Sequence, residues 1–180
     1  MSLVPGDIVY LYRARLSQSE CNRIIKISEQ SGKPDTTLDL TESGFRKQRR
    51  LKYADYGLTR MIFNKVKDDL EEDVAQRYTP DYTLVTYVHY SPGAICPLHT
   101  DSKVCNGIGK EKYITVIVYL NDFEGGETYF ITGKEKRTLN VNAGDVLIFH
   151  GQKIPHGCNT VKSDKKIIIF GLETAGVPQS

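Results

Sequence analysis

No apolar run in this chain approaches the length of a membrane span, and its N-terminus lacks the basic-then-apolar pattern of a secretory signal. The expectation is a cytoplasmic protein with no membrane partner. Cys21, Cys96, Cys105 and Cys158 are the only cysteines, and none stands in a C-x-x-C pair. That spacing argues against a zinc knuckle or a redox couple and for free thiols in a reducing compartment. Neither sign of charge dominates. Lys and Arg number 24 against 22 Asp and Glu, a net charge of +2 with a pI near 8.3, too mild to indicate nucleic acid. Tryptophan is absent, and no internal repeat or low-complexity segment interrupts the chain.

The 180 residues are enough for one domain with its own core, taken as 1–180. Ile8–Tyr12 reads as a strand. Ser17 and Glu20 form a capping box that opens a helix over about 18–31, where Cys21, Ile24, Ile25 and Ser28 keep helical spacing. Thr36–Thr41 alternates as a strand would. Leu58, Met61, Ile62, Val66, Leu70 and Val74 make one apolar stripe, which predicts a single helix from 58 to 77 packed on a sheet. From residue 83 the chain changes character. Thr83–Tyr90, Tyr113–Leu120, Thr128–Thr132, Arg137–Val141, Asp145–His150 and Lys166–Leu172 are short, β-branched and aromatic, and Gly, Pro, Asn and Asp clusters divide them. Helices followed by a run of strands is an α+β order. The expected fold is a jelly roll over about 83–174 with a helical and strand buttress over about 1–82, and a pocket between its sheets.

The chemistry concentrates at His99-Thr100-Asp101. In an extended segment residues i and i+2 share a side, so an imidazole nitrogen and a carboxylate oxygen can meet one ion. A second histidine would complete the two-histidine, one-carboxylate set that suits Fe(II) and leaves positions open. His150 and His156 compete for that place. Ten residues beyond His150 stands Thr160, whereas ten beyond His156 stands Lys166, a cation able to hold the far carboxylate of a metal-chelating diacid. This selects His156, with His150 and His89 left as packed or outer histidines. Lys165 is the alternative cation, expected to face the other side of its strand.

Tyr90-Ser-Pro-Gly93, His99-Thr-Asp101, Tyr119–Phe130, Gly144–His150, His156 and Lys166 occur in an order that resembles the prolyl 4-hydroxylase-type 2-oxoglutarate/Fe(II) oxygenases. The resemblance implies a double-stranded β-helix with Fe(II) on His99, Asp101 and His156, and Lys166 on the C5 carboxylate of 2-oxoglutarate. It implies a pocket-lining role for Tyr90. Thr115 and Tyr119 share the inward face of the opposite strand and become co-substrate contacts. Two positions depart from relatives. Cys96 stands where a tyrosine often helps hold 2-oxoglutarate, leaving a roomier pocket for Tyr90 or Tyr119 to fill. Leu172 lies near the place of a tryptophan that some prolyl hydroxylases carry.

The implied activity is a dioxygenase that consumes 2-oxoglutarate and O2, supported by ascorbate, and hydroxylates an unactivated C–H bond. A prolyl residue in a peptide or protein is the default substrate. A free amino acid or small metabolite is the alternative, and a non-catalytic metal- or acid-binding jelly roll is the reading from another class. No nucleophilic triad is present to suggest other chemistry. The basic stretch Arg46–Lys52, with Arg46, Arg49 and Arg50, and the turn Ser102–Lys112 are the expected substrate-facing elements. The bland reading of the basic stretch is a solvated strand edge.

Overall fold

The computed structural model describes residues 2–35, 47–101 and 112–174. In chain order its elements are β1 (Val9–Tyr12), α1 (Gln18–Ser31), β2 (Lys33–Pro34), β3 (Gln48–Tyr53), α2 (Tyr56–Val66), α3 (Glu72–Arg77), β4 (Tyr78–Pro80) and β5 (Val85–Tyr90). There follow β6 (Cys96–His99), β7 (Lys112–Tyr119), β8 (Thr128–Thr132), β9 (Glu135–Thr138), β10 (Val146–Phe149), β11 (His156–Cys158) and β12 (Lys165–Thr174). The larger sheet runs β1-β10-β7-β12-β5-β3-β2, with β4 also paired to β12. The smaller runs β6-β11-β8-β9. No helix among the described residues is long and apolar enough to cross a membrane.

Period-two alternation gives the large sheet two different apolar faces. Val85, Tyr87, Val116, Val118, Ile148, Ile168 and Phe170 pack outward against Cys21, Ile24, Ile62 and Phe63 of the helices. Val88, Tyr90, Ile117, Tyr119, Leu147, Phe149 and Ile167 face the small sheet and meet Phe130 and Cys158 there. Helices, large sheet and small sheet thus form three layers. The two sheets make the expected jelly roll, a double-stranded β-helix buttressed on one side by the N-terminal helices.

The capping box at Ser17 and Glu20 is present, and α1 ends at Ser31 as its sequence indicates. The single helix expected over 58–77 is broken. α2 stops at Val66, one 3-10 turn occupies Lys67–Asp69, Leu70 is extended, and α3 begins at Glu72. Geometry supplies the reason. A spacing of four residues overshoots a helical turn by about 40°, so Ile62, Val66, Leu70 and Val74 would wind across about 120° of one straight helix. The break lets all four reach the core. Residues 36–41, expected as a strand, and the turn over 102–111 lie outside the described residues. β9 lies a few residues before its expected position, at Glu135–Thr138.

Candidate active site

Two very short strands carry the site. β6 and β11 pair so that His99 stands opposite His156 and Cys96 opposite Cys158. Their imidazole centroids are 4.4 Å apart. His99 Nδ1 lies 2.7 Å from the Pro97 carbonyl and His156 Nδ1 lies 2.8 Å from the Ile154 carbonyl. A carbonyl oxygen only accepts, so each Nδ1 carries a proton, and each Nε2 offers its lone pair whenever the ring is neutral and donates to Asp101 when it is protonated. Both Nε2 atoms turn to Asp101 Oδ1, at 3.4 Å from His99 and 3.3 Å from His156. Asp101 Oδ2 accepts a 2.5 Å bond from the Thr115 hydroxyl, and the Asp101 backbone N–H donates to Gly151. The three ligand atoms lie within 4.8 Å of one another, so His99, Asp101 and His156 could hold one metal ion. Two neutral imidazoles and a carboxylate, each oriented by an outer partner, fit Fe(II).

Electrostatics agree with that geometry. Burial raises the Asp101 carboxyl, but hydrogen bonds from His156, His99 and Thr115 and the His156 charge outweigh it and hold it well below the usual carboxylate range. The Asp101 hydrogen bond is the largest influence on His99 and raises it above 6.5, against the opposing effect of burial. A raised folded-state value means the metal-free fold gains stability from protonated His99 below the unfolded pKa and loses it as pH rises through the folded one. Metal needs the neutral ring, so its apparent affinity increases over that same rise and then levels. Calorimetric titration with Mn(II) across pH 6 to 9 is expected to show proton release at the acid end only. A flat profile would contradict it.

Gly151 is needed beside the carboxylate. A Cβ there would run into Asp101 Oδ2 and Thr115 Oγ1. Gly151→Ala is therefore expected to displace an outer partner of the ligand and lower metal affinity about 10- to 100-fold. Affinity within about threefold of wild type, in the same Mn(II) titration, would show that the backbone yields instead.

A cavity of about 360 Å³ opens beside the triad, with Tyr90, Thr115, Ile117, Thr128, Lys165 and Ile167 on its walls. Lys165 is 1% exposed. Its Nζ donates 2.7 Å to the Gly126 carbonyl and lies 5.2, 5.7 and 5.0 Å from the ring centres of Tyr90, Tyr119 and Phe123. Among the described residues no carboxylate forms an ion pair with it. Burial lowers its pKa, because desolvation penalises the charged form.

This corrects the expected parity of β12. Lys165, Ile167 and Ile169 point between the sheets, while Ile168 and Phe170 meet the helices. Lys166 falls on the helix-facing register and does not line the cavity; its backbone N–H donates to Asn121 Oδ1. A one-residue miscount moves every side chain to the opposite face. Tyr90 lines the cavity. Thr115 lines it too, but its hydroxyl serves Asp101. Tyr119 lies behind the lining, fully buried, with its hydroxyl 2.7 Å from that of Thr128. Cys96 reaches His99 Nδ1 at 4.0 Å. A hydrogen bond between the free Cys96 and Cys158 thiols raises the Cys96 pKa and lowers that of Cys158. His89 pairs with Asp164 at 3.0 Å, away from the cavity. Leu172 belongs to the helix-side core.

The basic stretch divides by parity. Arg46 lies outside the described residues. Arg49 approaches Glu29 on the helix side at 3.9 Å and does not reach the cavity, contrary to expectation. Arg50 and Lys52 line the cavity together with Asp35, a residue that sequence reasoning missed for want of any motif around it.

Residues 85–172 match the family described as the 2OG-Fe(II) oxygenase superfamily. Among curated proteins, none matches the chain in sequence. The viral collagen prolyl hydroxylase of Paramecium Bursaria Chlorella virus-1, in complex with 2OG, aligns at TM-score 0.67 and 20% identity over 97% of this chain and 99% of that one. A Trichoplax adhaerens prolyl hydroxylase bound to a hypoxia inducible factor peptide fragment aligns at 0.69 and 13% identity, covering 94% and 84%. HygX of Streptomyces hygroscopicus, with nickel, 2-oxoglutarate and hygromycin B, aligns at 0.60 and 17% identity, covering 94% and 84%. At these identities the likenesses establish the fold. The match over residues 85–172, the shared fold and the His-Asp-His set all agree with the 2OG-Fe(II) oxygenase superfamily.

Proposed function

We propose that the chain holds Fe(II) on His99, Asp101 and His156 and the distal carboxylate of 2-oxoglutarate on Lys165, and hydroxylates an unactivated C–H bond. The observation that carries this reading is a buried ammonium group, without a carboxylate partner among the described residues, in the same cavity as the triad. Leaving such a charge unpaired is costly, and a diacid supplies the missing partner. Fe(II) with 2-oxoglutarate and O2 would supply the oxidising power: 2-oxoglutarate loses CO2 and gains one oxygen atom to become succinate, and the other oxygen atom enters the substrate's C–H bond.

The chain's own part is to hold and exclude. Pro97 and Ile154 carbonyls fix the imidazoles, Thr115 fixes the carboxylate, and Tyr90, Tyr119 and Phe123 keep water from Lys165. Fixed geometry of this kind saves the entropy of assembling reactants. A prolyl residue in a peptide or protein is the substrate proposed first, supported by the prolyl hydroxylases that share the fold. A free amino acid or small metabolite is the second reading, and Arg50 on the cavity wall favours it.

Purified protein given Fe(II), ascorbate, 2-oxoglutarate and O2 is expected to release succinate. Mass spectrometry of peptides and metabolites is expected to find a product heavier by one oxygen atom. Metal bound without succinate under any substrate would instead support a non-catalytic jelly roll.

A further inference from the structure

Two strands from Lys165 in the same sheet, the cavity wall includes a strand that the hydroxylase reading leaves without a role. Gln48, Arg50 and Lys52 of β3 stand beside Tyr90, Val88 and Thr86 of β5, and Arg50 and Lys52 line the cavity, while Leu51 packs into the helix-side core. The Arg50 side chain is only 15% exposed. Two buried groups set its position. Gln48 donates from Nε2 to the Ile95 carbonyl at 2.8 Å, which turns its Oε1 toward Arg50 Nη1 at 3.4 Å. Asp35, whose side chain is 2% exposed, places Oδ2 3.7 Å from Arg50 Nε and Oδ1 2.9 Å from Lys52 Nζ.

A guanidinium offers five N–H donors. Here the contacts that orient it are long, and Nε is buried without a hydrogen bond. The fork is therefore held in place but poorly satisfied. It lines the same cavity as His99, Asp101 and His156.

Arg50 and Lys165 rise from different strands and are held toward different partners, Gln48 and Asp35 for the one and the Gly126 carbonyl for the other. Lys165 pairs with Tyr90 on β5, and Arg50 pairs with Val88 one strand further out and two residues along. Strand spacing and rise put their Cβ atoms roughly 12 Å apart. The acid that bridges the metal and Lys165 leaves Arg50 facing a second ligand.

We infer that Arg50, positioned by Asp35 and Gln48, determines specificity by binding a carboxylate on the primary substrate, close to the carbon that is hydroxylated. This rests on the hydroxylase reading and names its substrate class: a free amino acid, or a peptide whose terminal or side-chain carboxylate enters the cavity. A carboxylate accepts two parallel bonds from the fork, whereas a primary amide presents one acceptor and two donors that oppose it. Leu84 and Ile169 on the same wall suit the apolar part of such a molecule.

The test uses matched pairs, each small amino acid or short peptide supplied as the acid and as its primary amide, beginning with L-proline and L-prolinamide. Affinity is measured calorimetrically with Mn(II) and 2-oxoglutarate present, so that the readout is binding. The best acid is expected to bind at least about thirtyfold more tightly than its amide, the discrimination a buried charge-assisted pair gives. Arg50→Gln is expected to reduce that ratio to about one to three. Arg50→Lys keeps a charge beside Asp35 without the fork and is expected to fall between, so it decides the matter should the glutamine variant not fold. Arg49→Gln, on the opposite face of the strand, is expected to keep the wild-type ratio. No acid preferred over its amide, or a preference surviving Arg50→Gln, overturns the inference. Failure of the hydroxylase reading would show separately, as wild-type protein gaining no thermal stability from 2-oxoglutarate.

Discussion

Lys165→Ala is expected to weaken 2-oxoglutarate binding about 30- to 1000-fold, while Lys166→Ala leaves it within about threefold. Removing one partner of a desolvated charge pair costs about 2–5 kcal/mol, much of it the penalty of stranding the other charge. Lys165 is that partner because it is buried in the cavity, with the Gly126 carbonyl its one short polar contact among the described residues. Lys166 is partly exposed and turned toward the other face of β12. The KM for 2-oxoglutarate in succinate formation, and the rise in melting temperature it induces, both measure this. The opposite result, with Lys166→Ala disabled and Lys165→Ala intact, would return the cation to the even-numbered face of the strand.

A second consequence distinguishes a ligand-binding lysine from a structural one. An unpaired buried cation destabilises the fold that contains it. Lys165→Met keeps the apolar stem among Tyr90, Tyr119 and Phe123 and removes the charge. Without ligand the variant is expected to melt above the wild type, by about 2–4 °C for each kcal/mol gained. With saturating 2-oxoglutarate the order reverses.

Much of this arrangement is legible in the chain. The capping box at Ser17 and Glu20 places α1 because it satisfies the helix's first donors locally. The β-branched and aromatic runs of β5, β7 and β10 announce strands. The pair His99 and Asp101 is visible because i and i+2 share a side whatever the strand's partners. What stays hidden depends on neighbours far away in sequence. β6 and β11, which bring the histidines together, are four and three residues long and carry Pro97 and Gly157, so no periodicity marks them.

The parity of β12 is hidden for a different reason. Lys165, Ile167 and Ile169 alternate as well as Lys166, Ile168 and Phe170, and both faces of the strand are buried. A strand covered on two sides has no polar face to reveal its orientation. The distance from His156 to its cation then becomes the sole guide, and it misses by one. Asp35 shows a third limit. Its importance comes from Arg50 and Lys52 on an adjacent strand, and a lone aspartate after Lys33-Pro34 gives no sign of it.

Asp101→Asn is expected to lower Fe(II) or Mn(II) affinity by more than about a hundredfold, beyond the 10- to 100-fold that loss of an outer partner brings. The change keeps the shape of the side chain and can keep an oxygen toward Thr115, so the fold has no reason to rearrange. What it removes is the negative charge that both imidazoles face at 3.3–3.4 Å. An amide oriented toward Thr115 by its oxygen also turns its NH2 group to the ion, where a ligand needs a lone pair. In metal-free protein the same change removes the carboxylate that raises His99, so the His99 titration, followed by NMR, is expected to move down toward 6.5. His156→Ala opens a cavity beside Phe130 and Phe149 and costs stability as well as metal, which makes it the less selective probe. Asp101→Asn protein that still binds Mn(II) at wild-type strength would show that the three side chains meet without serving as ligands, and the proposed chemistry would have no centre.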